Sequence, residues 1–193
     1  MGLSQESSSN SKSLYMIQKP FESRGDLQLG YGYGFMNPYE NLHHVVLKAN
    51  YRYSPNWQFG LAGSYINAVK NDATKTLEAS LGSVQIKTEF QNPEYSLHAT
   101  FASIPLSGLL NFFSKSVVPF DLVFGAKAGI TQYKKSGIAP SFGPYLEYKT
   151  YFFDRLGVYF GIEYSVEHLK GINNEPAVWV SQSHIGLGAT WAY

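Results

Sequence analysis

The sequence contains no cysteine, which excludes disulfide bonds and metal sites built from thiolates. It is also poor in charge, because only 15% of its residues are Asp, Glu, Lys or Arg. A soluble domain usually carries about 25% of such residues. The formal net charge of +1 provides no basic field that could hold nucleic acid.

Long apolar runs are missing as well. No window approaches the roughly 18 consecutive apolar residues that a transmembrane helix requires. This excludes spanning by helices only, since a barrel strand crosses a bilayer with about 9–11 residues of alternating polarity. The opening MGLSQESSSNSKS has no apolar core of a signal peptide, and we expect residues 1–26 to be a disordered or loosely ordered leader of the mature chain. The alternative is a cytosolic protein with a disordered leader.

The feature that recurs along the chain is an alternation of apolar and polar residues with a period of two. Aromatic residues make up 16% of the sequence, and glycine contributes 18 residues. Because successive side chains of a strand point to opposite faces, each alternating run predicts a β-strand with two unlike faces. The runs are 27–35, 45–53, 57–65, 84–90, 95–101, 120–130, 138–150, 156–164 and 185–193.

These nine runs conflict with the even number of strands in single-chain bacterial outer-membrane barrels. Either the runs 84–90 and 95–103 include an error, or Leu14 to Gln18 pairs as a tenth strand. We therefore expect eight strands, within a range of eight to ten. The predicted fold is all-β: a single antiparallel up-and-down β-barrel domain over residues 27–193.

Two segments interrupt the alternation. The polar stretch from Lys70 to Ala79 is predicted to be a loop. Between Pro105 and Pro119 the apolar residues recur at intervals of three and four, which predicts one short amphipathic helix, packed on the barrel or lying in a membrane interface. A loop that plugs one mouth of the barrel is the alternative. The apolar residues of this segment are candidate contacts to lipid or to neighbouring subunits: Leu106, Leu109, Leu110, Phe113 and Val117.

The polar phase of the strands decides between a soluble and a membrane barrel. A soluble, lipocalin-like barrel would carry many Lys and Glu residues on its outer face. Here the polar phase consists mostly of Gly, Ser, Ala, Asn and Gln, and its few charges avoid the apolar phase, as expected where a charge facing lipid would cost about 2–4 kcal/mol. These charges are predicted to pair in the lumen, and they are Lys48, Arg52, Lys87, Glu89, Asp121, Lys127, Glu147, Lys149 and Glu163.

Aromatic residues gather near the predicted strand ends. This placement is typical of the aromatic girdles at the two interfaces of a membrane barrel. The candidate interfacial residues are Tyr51, Tyr53, Trp57, Tyr148, Tyr151, Phe152, Phe153, Trp191 and Tyr193. The pattern favours a transmembrane barrel over a soluble one.

The histidines form no recognisable catalytic or metal-binding motif. Ser183 and His184 are adjacent in a strand and so point to opposite faces, as do His43 and His44. His98 shares a phase with Ser96, but no motif supplies an acid. The run GYGYGF is followed by no helix, which excludes a phosphate-binding loop. We therefore expect no catalytic residues, metal or cofactor, and no enzymatic activity.

The last eleven residues, SHIGLGATWAY, resemble the carboxy-terminal assembly signal of bacterial outer-membrane proteins, with Tyr193 where Phe is commonest. The architecture is similar to that of the small OmpA/OmpX-type barrels. The segments IPLSG (104–108), PFDL (119–122) and GAKAG (125–129) resemble outer-membrane barrel proteins of myxobacteria and predatory bacteria, in particular the PopA-like porin-like, lipid-trapping superfamily. That resemblance implies a homo-oligomeric ring of small barrels that encloses membrane lipid in the outer membrane of a Gram-negative bacterium.

Taken with the narrow predicted lumen, the resemblance implies a non-enzymatic, porin-like barrel with a plugged interior. Its expected partners are membrane lipid, further copies of the chain and the outer-membrane assembly machinery, which would act through the last strand. Close packing between copies is favoured by small residues on the apolar phase: Ala49, Gly63, Ala99, Ala126, Ala128 and Ala189. The alternatives are a small-solute channel and a soluble ligand-binding barrel.

Overall fold

Strands that run in alternating directions pair with their sequence neighbours, and the last strand pairs with the first, so that the sheet closes on itself. The computed structural model describes residues 23–35, 40–80, 92–112, 116–134, 136–152, 155–170 and 176–193. The eight strands are β1 (Gly25–Phe35), β2 (Glu40–Ser54), β3 (Trp57–Lys70), β4 (Pro93–Phe112), β5 (Ser116–Tyr133), β6 (Gly137–Tyr151), β7 (Leu156–Leu169) and β8 (Val178–Ala192). One helix, α1 (Asp72–Ser80), lies between β3 and β4.

The prediction of an all-β, antiparallel up-and-down barrel of eight strands is confirmed. The additional runs at 84–90 and at Leu14 to Gln18 lie outside the described residues. The boundary between leader and barrel needs a correction, because Gly25 and Asp26 belong to β1. Both are tied into the sheet by register: Gly25 lies opposite Tyr51, and Asp26 lies between Asn50 and Ala192.

The position of the short helix was predicted wrongly. Helix α1 begins at Asp72 and occupies most of the stretch from Lys70 to Ala79 that was expected to be a loop. The side-chain Oδ1 of Asn71 accepts a hydrogen bond from the backbone N–H of Thr74 at 2.8 Å, and Asp72 lies in the first turn. Both features stabilise a helix N-terminus, where backbone N–H groups lack partners within the helix. Lys70 and Glu78 add an ion pair of 2.6 Å.

In the segment predicted to be helical, residues 105–112 and 116–119 instead form the paired ends of β4 and β5. Leu106 lies opposite Leu122, and Leu110 lies opposite Val118. A register shift between Ser103 and Leu106 accommodates the intervening proline, consistent with the general confinement of strand prolines to bulges and edges. The helical spacing of the leucines was misleading because cross-strand pairing, which is not visible in a local window, determines this segment.

The two ends of the barrel differ. At one end, called the turn end here, the short turn at Pro55 and Asn56 joins β2 to β3. At this end the backbone N–H of Tyr193 donates to the carbonyl of Gly25 at 3.0 Å. The opposite end, called the loop end, carries α1 and the turn in which Gly137 adopts a φ of 77°. The β4–β5 hairpin continues past the turn end, since β3 stops at Trp57 opposite Ser103 while β4 runs on to Phe112.

The two faces of the sheet are unlike. Large apolar side chains face outward and remain exposed, for example Leu187 at 64% and Leu47 at 62%, whereas Lys149 (0%) and Lys48 (2%) are buried inside. No helix among the described residues has the length and apolarity needed to cross a membrane. In strands β1 to β7 the charged side chains occupy the phase opposite the exposed apolar residues: Asp26, Glu40, Lys48, Arg52, Lys70, Glu94, Asp121, Lys127, Glu147, Lys149, Glu163 and Glu167.

Candidate functional site: the barrel interior

The turn-end half of the interior holds a chain of buried ion pairs. The Nζ of Lys149 lies 2.8 Å from Asp26 Oδ2 and 3.7 Å from Glu147 Oε2. The Nζ of Lys48 lies 2.5 Å from Glu147 Oε1 and 3.8 Å from the centre of the Tyr145 ring. Glu147 therefore connects the two lysines, and the lysine charges are balanced inside the barrel.

Strand register explains why Asp26 joins this chain. Asp26 lies opposite Asn50, and Gln28 lies opposite Lys48, so all four side chains point inward from adjacent positions of β1 and β2. The amides of Asn50 and Gln28 donate to Asp26 Oδ1 at 2.9 and 2.7 Å. Together with Lys149, these amides give the Asp26 carboxylate three hydrogen bonds, which replace part of the hydration that it loses on burial.

A second pair completes this group nearer the turn end. Arg52 donates from Nη2 to Asp121 Oδ2 at 2.5 Å, and the hydroxyl of Ser107 donates to Asp121 Oδ1 at 2.6 Å. We call the whole group the turn-end ion cluster; its three basic and three acidic members are Lys48, Arg52, Lys149, Asp26, Asp121 and Glu147. Equal numbers of opposite charges leave the cluster neutral.

The middle of the interior contains one further pair. Lys127 of β5 reaches Glu163 of β7 at 2.5 Å across β6. The β6 residue opposite Lys127 is Gly143, which has no side chain to separate the two charges. A Cβ added at Gly143 would collide with the backbone carbonyl of Tyr164, so the close approach of β6 and β7 also requires a glycine here.

Glu167, nearer the loop end, is held differently. Its carboxylate accepts hydrogen bonds from Thr131 Oγ1 at 2.9 Å, from Ser141 Oγ at 3.3 Å and from the hydroxyl of Tyr133. Gln182 Nε2 lies 3.4 Å from the same carboxylate. Within the part of the chain that the structure describes, no Lys, Arg or His nitrogen lies within 4.0 Å of it. Glu167 is thus a buried acid surrounded by neutral donors.

A cavity of about 60 Å³ lies inside the barrel, and the residues that line it include His44, His98, His184, Lys127 and Glu167. At about 10–15 Å³ per water in this measure, it has room for a few water molecules. The rings of His44 and His184 lie 4.3 Å apart between centroids, at an angle of 65°. The Nε2 atoms of these two residues are buried and have no hydrogen-bond partner in the described structure.

The nine predicted lumen charges fall into two groups. Seven of them, Lys48, Arg52, Asp121, Lys127, Glu147, Lys149 and Glu163, lie in the interior and form the ion pairs described above. Lys87 and Glu89 lie outside the described residues. Sequence reasoning missed Asp26, which was assigned to the leader, and Glu167, although its even spacing from Glu163 places it on the same face of β7.

The adjacent residues His43 and His44 point to opposite faces, as strand geometry requires, whereas Ser96 and His98 share a face but have different partners. His44 faces the cavity, while Nδ1 of His43 contacts the hydroxyl of Tyr31 at an exposed position. Ser96 shares a hydrogen bond of 2.7 Å with Ser64, whereas Nε2 of His98 lies 3.1 Å from Ser141 Oγ. In the described part of the chain, no three His, Asp or Glu side chains converge as a ready-made metal site.

Most candidate girdle residues are exposed near the turn end, where Trp57 stacks on Phe101 at 5.1 Å between ring centroids. Tyr51, Tyr53, Phe152, Trp191 and Tyr193 are exposed as well, and Tyr148 is half-buried. Tyr151 differs from the expectation: it points inward on the phase of Lys149 and is only 3% exposed. Phe153 lies outside the described residues.

The candidate lipid contacts are spread over both faces of the β4–β5 hairpin rather than along one helix face. Leu106 is exposed, and Leu109 and Leu110 are half-buried on successive positions of β4. Val117 belongs to the backbone of β5, opposite Asn111. Phe113 lies outside the described residues.

Comparisons with known proteins add no relatives. A scan against models of known protein families matches none of them. A search of curated protein sequences finds no significant match either.

Proposed function

We propose that this protein is a non-enzymatic outer-membrane β-barrel that crosses the bilayer with its eight strands. The observation that carries the proposal is the distribution of side chains on the sheet: exposed apolar residues outside and charged residues inside. In water such an outer surface would be a large contiguous apolar patch, which soluble monomers rarely expose. In a bilayer it is the expected lipid-facing wall, and the closed sheet leaves no unpaired edge in hydrocarbon.

The interior supports a plugged lumen. Barrels of eight strands are just wide enough for their side chains to fill, whereas water-filled porins have about 16–18 strands. In this chain ion pairs cross the interior at the level of Lys149 and Asp26 and at the level of Lys127 and Glu163. A single copy would therefore not act as a general pore, and its role would be structural.

A homo-oligomeric ring that encloses or organises lipid is the more specific form of this proposal. Segments 104–108, 119–122 and 125–129 support it by their resemblance to ring-forming, lipid-trapping outer-membrane barrels. Small residues on the outer face also support it. Ala99 of β4 lies opposite Ala128 of β5, so two small residues adjoin on that wall. Small outward residues allow membrane elements to approach closely. The last strand, β8, would be the element that the outer-membrane assembly machinery recognises.

Refolding into lipid bilayers tests the membrane assignment. The urea-unfolded chain is diluted into phospholipid vesicles, and folding is followed by the heat-dependent shift on gels and by quenching of tryptophan fluorescence with brominated lipids. We expect quenching, since Trp57, Trp179 and Trp191 are all exposed on the outer face. A folded barrel that stays in solution without vesicles or detergent would instead establish the soluble, ligand-binding alternative.

A pair of arginine substitutions locates the hydrocarbon slab. Leu187→Arg places a charge on the middle of the outer face and should make folding into vesicles less favourable by about 2–4 kcal/mol. Ile138→Arg, on the outer face at the loop-end start of β6, should cost about 0–1 kcal/mol because it lies near the interface. Equal effects of the two substitutions would contradict a membrane-spanning wall.

Native mass spectrometry of the detergent-purified protein tests the ring. We expect an oligomer of fixed size that retains phospholipid, and its dissociation in the variant Ala99→Phe/Ala128→Phe. A bare monomer would overturn the ring and leave a simple small barrel. Conductance measured across planar bilayers would favour the alternative of a small-solute channel.

A further inference from the structure

We propose that the cavity inside the barrel binds one divalent transition-metal ion, such as Zn²⁺ or Cu²⁺, through His44 and His184. The proposal concerns the interior of the closed barrel and goes beyond the proposed membrane role. It holds whether the outer wall faces lipid or detergent, so its failure would leave that role intact.

The backbone brings the two rings together across β1. His44 of β2 lies opposite Gly32, and His184 of β8 lies opposite Gly34. A Cβ added at Gly34 would lie 2.8 Å from Cδ2 of His184, which is closer than real Cβ contacts come. The inward phase of β1 must therefore be bare at this height, and the glycines of GYGYGF make room for the imidazoles.

One nitrogen of each ring lacks a partner, although buried polar groups are nearly always hydrogen-bonded. Both Nε2 atoms are buried without a partner in the described structure. The neighbouring His98, by contrast, is bonded to Ser141. An imidazole nitrogen in the neutral ring is a preferred ligand of Zn²⁺ and Cu²⁺, whereas Ca²⁺ and Mg²⁺ prefer oxygen. The unpartnered atoms therefore match the chemistry of a transition metal.

The separation of the rings fits two ligands on one ion. With metal–nitrogen bonds of about 2.0–2.1 Å, an imidazole centroid lies roughly 3.2 Å from the ion. Two imidazoles then have centroids about 4.5 Å apart at the right angle of a tetragonal Cu²⁺ site and about 5.2 Å apart at the tetrahedral angle that Zn²⁺ prefers. The observed separation is 4.3 Å. Because no three such side chains converge in the described residues, water in the cavity would complete the coordination.

Charge in the cavity favours a cation over an anion. Two of its lining lysines are neutralised by acids that also line it, Lys48 by Glu147 and Lys127 by Glu163. Glu167 lines the same cavity without a basic group in ion-pair distance among the described residues. With neutral histidines and Glu167 in its ionised form, the cavity wall carries one net negative charge.

The experiment measures metal binding by the full-length protein, purified in detergent, treated with chelator and refolded in the presence or absence of Zn²⁺. Calorimetric titration is expected to give one bound Zn²⁺ per chain, and Zn²⁺ is expected to raise the unfolding midpoint. Substitution of Cu²⁺ should give an electron paramagnetic resonance spectrum with hyperfine coupling to two imidazole nitrogens. His44→Gln and His184→Gln should each weaken Zn²⁺ binding roughly 100-fold or more. Replacing a residue that only orients a metal ligand already costs about 10–100-fold in affinity, and loss of a ligand should cost at least as much.

His43→Gln is the matched control, since it removes a neighbouring histidine from the exposed face and should leave the affinity unchanged. Each variant is first checked for folding by its gel shift. Loss of binding in His43→Gln, or its persistence in the double variant His44→Gln/His184→Gln, would overturn the site. So would the absence of any Zn²⁺ binding by the folded wild-type protein, which would mean that the cavity holds water alone.

Discussion

The two halves of the barrel interior solve the problem of buried polarity in different ways. At the turn end, each carboxylate of the ion cluster lies against a lysine or arginine, as Asp26 lies against Lys149 at 2.8 Å. Toward the loop end, Glu167 is bound by hydroxyl and amide groups, and the Nε2 atoms of His44 and His184 have no partner in the described structure.

The contrast separates fixed charge from adaptable polarity. Removing one member of a buried ion pair strongly destabilises the folded protein, because the remaining charge stays buried with neither a partner nor solvent. Neutral hydroxyls and imidazoles can reorient or accept a ligand at smaller cost. We infer that the turn-end half maintains the barrel and that the loop-end half is where a ligand can enter the hydrogen-bond network.

The largest effect is expected from Lys149→Met. This change leaves Asp26 and Glu147 without their shared lysine, and we expect the free energy of unfolding in detergent to fall by about 3–5 kcal/mol. Lys70→Met is the control, because its ion pair with Glu78 is partly exposed and should contribute less than about 1 kcal/mol. Similar losses in the two variants would remove the distinction between the buried cluster and the surface.

The coupling energy between Lys48 and Glu147, measured by a double-mutant cycle, should be smaller than the loss caused by Lys149→Met. Lys48→Met and Glu147→Leu each strand one charge, whereas the double change removes both partners of the 2.5 Å pair. We expect the double variant to be more stable than the sum of the single losses predicts, by roughly 1–3 kcal/mol. Additive losses, measured by urea unfolding, would mean that the two charges are not coupled.

Glu167→Gln should have the smallest effect. The amide keeps an acceptor for Thr131, and the surrounding hydroxyls can reverse their hydrogen bonds to accept from its NH₂ group. We expect a change of less than about 1 kcal/mol in the free energy of unfolding, since no cation is left unpaired. The same substitution at Glu147 is the matched comparison, and equal effects at the two positions would contradict the difference between the halves.

Local pattern explains why the strands could be predicted. The alternation in Leu156 to Tyr164 is a property of neighbouring residues, and the observed β7 spans Leu156–Leu169. The segment 105–119 was misread because leucine spacing at three and four residues is equally available to a paired strand with a bulge. Helix α1 was missed because its stabilising groups, such as the Asn71 cap and the Lys70–Glu78 pair, carry little apolar periodicity.

The sequence by itself determined the class of fold and the side of the sheet on which each charge lies, because side-chain direction in a strand follows from the two-residue repeat of the backbone. Only the tertiary structure decided which charges meet. Lys149 and Asp26 are 123 positions apart and come together because the sheet closes between β8 and β1. The same closure brings His44 toward His184 across bare glycines, since contacts across a lumen depend on strand register and barrel diameter rather than on neighbours in the chain.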